Sequence, residues 1–234
     1  MKRLLSTLRL DVLLQQRYGL FYAAGFSALV WIAILRALPS QTLHIAVPFI
    51  IFVDLAIVGF YFIAGMVLFE KDEATLFALV VTPLRFWEYM TSKLVTLTTL
   101  ATIVSLIVIV TTYGLKFNLL LALLGTVFMS FIALSIGFIA VSPFTSLSHY
   151  LIPSQIYAIV LYLPLIYYFG WWKNPIFYIL PTQGSLMLLR GAFDPIASWQ
   201  ITYAVAYGIF WVLVLALLAR RAFNRYIVAR EGGR

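Results

Sequence analysis

Long apolar stretches follow one another along most of the chain, and short segments between them carry the charged residues. A helix that spans a membrane needs about 20 consecutive apolar residues. Six stretches meet this length and predict spans at Leu20–Leu38, Ile45–Phe69, Leu94–Leu115, Leu119–Val141, Leu151–Phe169 and Trp199–Ala219. Membrane barrel strands alternate apolar and polar residues, which these stretches do not, so a barrel is excluded. The pattern predicts an all-α integral membrane protein with one domain over residues 1–234.

The segments outside the spans differ in length and character. Residues 1–19 place apolar and polar side chains on different helical faces, which predicts an uncleaved elbow helix at the membrane interface. A signal peptide is the alternative. Residues 116–118 alone join spans three and four, whereas residues 70–93 and 170–198 form long connections after spans two and five. These two connections are therefore the candidates for a role beyond linking helices.

The composition supports a membrane protein and narrows its chemistry. Hydrophobic residues make up 64% of the chain, charged residues make up 10%, and cysteine is absent. Disulfide bonds and thiolate sites are thus excluded. The two histidines, His44 and His149, fall at opposite membrane faces in a six-span arrangement, which argues against a metal site and against a membrane-embedded hydrolase. We expect no catalytic residue and no metal ligand in this chain.

The distribution of lysine and arginine predicts the orientation. The chain carries 16 of these residues and a formal charge of +8. Twelve fall on the side that holds both termini, and the other four are Arg36, Lys116, Lys173 and Arg190. Because cytoplasmic segments are enriched in basic residues, both termini are predicted to be cytoplasmic in a multi-pass protein of the cell (inner) membrane. The basic tail, residues 220–234, then faces anionic membrane lipid, and nucleic acid is not an expected partner.

Residues 70–93 form an amphipathic segment on the predicted cytoplasmic side. Acidic residues from Glu70 onward suit a helix N-terminus, where carboxylates are favourable. Leu76 and Leu79 lie on one apolar face, and Thr82 and Pro83 end the helix because the residue before a proline is disfavoured in the α conformation. A cytoplasmic partner could bind such a helix. The alternative is a surface loop whose apolar face touches lipid.

The same segment resembles the signature of ABC-2 type permeases, the membrane subunits of a class of ATP-binding-cassette exporters. In that family an acidic residue ends the second span, a threonine, a leucine and a Thr-Pro turn follow, and a lysine begins the third span. The matching residues here are Glu70, Thr75, Leu79, Thr82, Pro83 and Lys93. Ala74 stands where the family usually has glycine. The elbow helix, the six spans and a long outer segment that dips into the membrane are further features of the family.

The resemblance implies a permease similar to small bacterial drug-efflux permeases, which moves an amphipathic or hydrophobic molecule out of the cytoplasm or the inner leaflet. It implies a second permease subunit, as a homodimer or heterodimer, and two copies of a cytoplasmic ATPase. The chain has no Gly-Lys pair and so lacks the phosphate-binding loop, which places ATP and Mg²⁺ on the ATPase and leaves this chain without a cofactor. A polysaccharide or lipid exporter and a non-transporting membrane scaffold or sensor are the alternatives. The expected ATPase-coupling residues are Glu70, Thr75, Leu76, Leu79, Thr82 and Pro83.

Polar residues inside the spans are candidates for the substrate pathway. Asp54 falls near the middle of span two, where a carboxylate is costly and usually faces the bundle interior or a wet cavity. Tyr61 lies on the same helical face, and Thr102, Tyr157 and Tyr162 complete the candidate set. The alternative for Asp54 is a packing role, through hydrogen bonds to the hydroxyl groups of span three.

The outer connection predicts a gate. From Pro175 to Arg190 the chain is apolar but too short to span a membrane, which favours a re-entrant helical hairpin buried against protein. The ABC-2 family often has a proline followed about nine residues later by an arginine in this segment, and Pro181 and Arg190 match that spacing. These two residues are the expected outer gate.

Overall fold

A computed structural model describes residues 2–73 and 86–228 of the chain. Within these residues all regular secondary structure is helical, and no strand occurs. Six helices are long and apolar enough to cross a membrane. The predicted all-α membrane fold with six spans is confirmed.

The helices follow the chain in a simple order. An N-terminal helix covers Lys2–Arg17. The six spans are Leu20–Ala37, Leu43–Asp72, Phe86–Tyr113, Leu119–Val141, Leu147–Tyr162 with the short continuation Pro164–Tyr168, and Ser198–Phe223. A 3₁₀ turn, Pro175–Ile179, and a second helix, Gln183–Gly191, lie between spans five and six, and we call the second one the outer helix. Short helical turns also occur at Ser40–Thr42 and Asn224–Val228.

Spans two and four form the centre of the bundle, because they pack on each other more extensively than any other pair of helices. Gly137 of span four permits this approach. A Cβ atom at that position would lie 2.5 Å from the backbone oxygen of Phe60 in span two, which no side chain can do without displacing backbone. Spans one and three cover one side of this pair, and spans five and six with the outer helix cover the other.

The two ends of the bundle carry different neighbours. At one end the N-terminal helix packs against span three and beside the end of span two. At the other end the turn between spans three and four contacts the end of the outer helix, where the backbone N–H of Asn118 donates to the carbonyl of Ala192 at 2.8 Å. We call these the inner end and the outer end, following the predicted orientation.

Spans two and three extend further than the apolar pattern predicts. The span-two helix continues to Asp72, and the span-three helix begins at Phe86. Glu70 therefore lies in the last turn of a helix, and the prediction that it begins a new helix is wrong. Its carboxylate is paired with the Lys93 ammonium, so the helix can carry this acidic residue through a buried position. Residues 74–85, which separate the two helices, lie outside the described part of the chain.

The outer helix is enclosed by protein. Leu188 and Leu189 are fully buried, and the helix packs on spans two, four and six. Gly125 of span four lies directly against it, since a Cβ atom there would be 2.9 Å from the backbone nitrogen of Leu189. The depth of this helix, and of the N-terminal helix, relative to a membrane stays a prediction.

Candidate functional site

Three charged side chains meet inside the inner end of the bundle, from three different helices. The Lys93 ammonium of span three lies 3.0 Å from Asp11 Oδ1 of the N-terminal helix and also donates to Glu70 Oε1 of span two. All three side chains are at least 96% buried. We call this group the inner cluster.

Neutral donors complete the inner cluster. Tyr89 donates its hydroxyl to the second oxygen of Glu70 at 2.7 Å, and Ser92 donates to the second oxygen of Asp11. Each carboxylate thus accepts one hydrogen bond from the shared ammonium and one from a hydroxyl. Burial of charge is costly unless it is paired and hydrogen-bonded, and this arrangement meets both conditions.

A second, more exposed pair lies beside the inner cluster. Arg17 at the end of the N-terminal helix lies 3.1 Å from Glu73, and the Tyr18 hydroxyl donates to the same carboxylate at 3.1 Å. Burial of the phenol, followed by its hydrogen bond to Glu73, raises the pKa of Tyr18 to about 12. Tyr18 is therefore a neutral donor throughout the physiological pH range. These contacts attach the N-terminal helix to the residues that enter the segment 74–85.

The structure thus places one of the predicted coupling residues and leaves the others untested. Glu70 belongs to the inner cluster and is 1% exposed. The remaining five, Thr75, Leu76, Leu79, Thr82 and Pro83, lie outside the described residues. The two ends of the segment that contains them are held at the inner cluster, because Glu70 precedes the segment and Lys93 follows it.

Asp54 of span two lies against span one. Its Oδ1 accepts hydrogen bonds from the Ser27 hydroxyl and, at 2.7 Å, from the Trp31 indole N–H. The predicted alternative partners on span three are wrong, because span one approaches this face of span two instead. The hydroxyls of Thr98, Ser105 and the candidate Thr102 on span three have no hydrogen-bond partner within the part of the chain that the structure describes.

The candidate tyrosines gather at the contact between spans two and five. The Tyr61 hydroxyl accepts a hydrogen bond from the Gln155 amide at 2.7 Å. Tyr157 and Tyr162 lie on span five, which packs against span two. The structure therefore brings Tyr61 to span five, which carries Tyr157 and Tyr162, whereas Asp54, about two turns away along span two, makes its contacts with span one.

The predicted gate residues stand at the two ends of the outer helix. Pro181 is buried just before the helix begins, and Arg190 is exposed in its last turn. With a rise of about 1.5 Å per residue over nine residues, they are roughly 13 Å apart and do not form one contact. The Arg190 guanidinium instead lies 6.0 Å from the ring centroid of Tyr168, at the end of span five.

Several polar residues of these sites are absent from the prediction. Asp11 is a carboxylate on an otherwise amphipathic helix, and nothing in the local pattern distinguishes it from a solvated residue. Gln155 can be recognised from the sequence, because an amide inside an apolar span needs a hydrogen-bond partner. Gln183 lies in the outer connection, is 1% exposed, and has a carbonyl oxygen without a partner among the described residues.

Known proteins match nearly the whole length of the chain. The fluoroquinolones export permease protein family matches residues 2–231. Two curated proteins named fluoroquinolones export permease protein, from Mycobacterium tuberculosis strains CDC 1551 / Oshkosh and ATCC 25618 / H37Rv, are each 41% identical over 235 residues, which is 99% of both chains. No solved structure matches the chain. The chain is a multi-pass membrane protein that belongs to the fluoroquinolones export permease protein family.

Proposed function

We propose that this chain is the permease subunit of an ATP-driven ABC exporter that moves amphipathic, drug-like molecules, with fluoroquinolones among them, out of the cytoplasm or inner leaflet. Two permease chains, as a homodimer or a heterodimer, assemble with two copies of a cytoplasmic ATPase that binds ATP and Mg²⁺. The complex lies in the inner membrane with both permease termini in the cytoplasm. The observation that carries this proposal is the match of 41% identity over 99% of the chain to proteins named as export permeases.

Coupling to the ATPase is assigned to residues 74–85 and their attachments. Glu70 lies in the last turn of span two, Lys93 lies about two turns into span three, and these two residues are joined in the inner cluster. Asp11 joins the N-terminal helix to the same ammonium. A displacement of the segment by the ATPase would therefore move the ends of spans two and three and the N-terminal helix as one unit.

The cargo pathway is assigned to the polar positions of span two and its neighbours. Asp54 accepts two hydrogen bonds at Oδ1, and no hydrogen bond from the described residues reaches Oδ2. A free carboxylate oxygen inside the bundle suits the protonated amine that many fluoroquinolones carry. The tyrosines at the contact of spans two and five offer aromatic faces and hydroxyls to the planar part of such a molecule. Thr102 has the least support as a pathway residue, because it lies on span three and the other candidates lie on spans two and five.

The test of coupling uses the apolar face of the segment. Burial of a leucine side chain at an interface contributes about 1.5 to 3 kcal/mol. Replacing Leu79 with aspartate removes this contribution and adds an unpaired charge to the interface. We expect Leu79→Asp to insert and fold normally but to lose the ATPase subunit on co-purification, together with cargo-stimulated ATP hydrolysis.

The matched control is Leu115→Asp. Leu115 is 81% exposed in the turn at the outer end, so the same substitution there should leave the complex intact. A Leu79→Asp protein that keeps the ATPase at normal stoichiometry and exports normally would refute the coupling assignment.

The same purified complex distinguishes the alternative functions. A drug exporter should show ATP hydrolysis that rises with norfloxacin, whereas a polysaccharide or lipid exporter should respond to its own cargo and not to norfloxacin. If the chain is a scaffold or sensor, the purified protein should show no ATP hydrolysis that depends on cargo. Either of the last two results would overturn the proposed function.

A further inference from the structure

A small cavity lies at the outer end of the bundle, within a single chain. Its volume is about 170 Å³. The end of span five, the outer helix and the start of span six surround it, and Tyr167, Tyr168, Gln183, Arg190, Ile196 and Gln200 are among the lining residues. Arg190 is the one charged residue of this lining, and its exposed side chain leaves the cavity open to the surface.

Gln183 is the buried polar group of the cavity. Its side chain is 1% exposed, and its carbonyl oxygen has no donor among the residues that the structure describes. Buried polar atoms in folded proteins are nearly always hydrogen-bonded, and an unpaired one is destabilising. This oxygen therefore suits a ligand that supplies an N–H or O–H donor.

Arg190 requires an acceptor on the ligand, whereas Gln183 requires a donor. Its guanidinium forms no ion pair with a carboxylate in the described ranges 2–73 and 86–228. Asp194, the acidic residue that follows the outer helix, is not part of the lining. A guanidinium presents donors in a planar fork that matches a carboxylate. Tyr167 and Tyr168 also line the cavity, and the Tyr168 ring lies beside the guanidinium.

We propose that this cavity binds zwitterionic aromatic acids, with Arg190 holding the carboxylate and Gln183 accepting a hydrogen bond from a donor on the same molecule. The cavity encloses part of such a ligand, and the remainder extends through the open side. This inference rests on the proposed function, because it makes the cavity an outer station for the exported drug. It also gives Arg190 a role in binding that differs from the predicted gate.

A cysteine-protection assay locates the ligand. The natural chain has no cysteine, so Ile196→Cys provides a single thiol in the cavity wall of the full-length protein in nanodiscs. Norfloxacin, which has a carboxylate and a basic amine, should slow modification of this thiol by a methanethiosulfonate reagent. The ethyl ester of norfloxacin keeps the rings and the amine and loses the anionic charge, so it should need an about 10-fold or higher concentration for the same protection. A thiol at Lys116, in the turn at the same end, should not be protected by either compound.

Two variants in the Ile196→Cys background separate the contacts. Arg190→Gln should weaken protection by norfloxacin about 10-fold and leave the ester unchanged, whereas Arg190→Lys should keep part of the preference for the acid. Gln183→Leu should weaken both compounds equally, because both retain the amine. Lys116→Gln removes a cation from the same end of the protein and should change nothing.

The outcomes are decisive for the site and separable from the function. Absence of protection by norfloxacin, or equal protection by the acid and the ester, would overturn the proposal even if the Arg190 and Gln183 variants folded poorly, because that comparison needs only the Ile196→Cys protein. Normal ATP-driven export of norfloxacin without protection would reject the cavity and leave the proposed function standing. Protection with the expected preference, in a protein that does not export norfloxacin, would support the cavity and reject the proposed function.

Discussion

The inner cluster and the outer cavity differ in whether their polar groups have partners within the bundle. In the inner cluster, Lys93 bridges two carboxylates, and each carboxylate has a further hydroxyl donor. In the outer cavity, Arg190 lacks a carboxylate partner and Gln183 lacks a donor among the described residues. Satisfied groups fix helices relative to one another, whereas unsatisfied groups next to a cavity are available to a ligand. This difference is the basis on which we propose mechanical coupling for the inner end and binding for the outer end.

Asp54 lies between these extremes. One of its oxygens accepts two hydrogen bonds from span one, and the other accepts none from the described residues. One oxygen of Asp54 therefore stabilises the packing of spans one and two, and the other oxygen is available to a cationic group. Substitutions at the three positions should consequently differ in whether they change stability, transport or both.

The largest effect is expected from Lys93→Met. The substitution keeps most of the apolar volume and leaves two buried carboxylates facing each other without a counter-ion. Removing one partner of a buried ion pair costs about 3 to 5 kcal/mol. Thermal unfolding of the purified protein should therefore shift to a markedly lower temperature, and Lys116→Met should not shift it. An unchanged melting temperature for Lys93→Met would contradict the structural role of the inner cluster.

An intermediate effect is expected from Asp54→Asn, and mainly on transport. Asparagine keeps an acceptor for Ser27 and Trp31, and the loss of charge assistance should lower stability by about 1 kcal/mol. Export of a cationic fluorescent cargo should fall, and export of a neutral cargo of similar size should persist. Ser27→Ala is the control, because it removes one packing contact and keeps the carboxylate. Equal loss of both cargoes together with a lowered melting temperature would assign Asp54 to packing alone.

The smallest effect is expected from Arg17→Ala. This residue is paired with Glu73, but its side chain is 68% exposed. Exposed ion pairs contribute about 0.2 to 1 kcal/mol, and salt screens them. The shift in unfolding should be small and should decrease further at high ionic strength. A shift as large as that of Lys93→Met would mean that the exposed pair, and not the buried cluster, secures the N-terminal helix.

The sequence predicts the six spans because the thickness of a bilayer sets the length of an apolar helix, and this requirement is visible in any one stretch of chain. It does not predict the inner cluster, because Asp11 and Lys93 are 82 positions apart and helix neighbours cannot be read from hydropathy. The partners of Asp54 on span one are not predicted either, for the same reason. Span ends are also hard to predict, since the pairing of Glu70 with Lys93 lets two helices continue past their apolar stretches.

We propose above that this chain exports drugs and that ATP hydrolysis drives the export. Inside-out membrane vesicles that contain the permease and its ATPase test this most directly. The vesicles should accumulate norfloxacin when ATP and Mg²⁺ are added, and a substitution of the phosphate-binding lysine in the ATPase should abolish the uptake. Uptake that persists with the inactive ATPase and is driven by a proton gradient would contradict the account, as would an absence of uptake in vesicles with the intact complex.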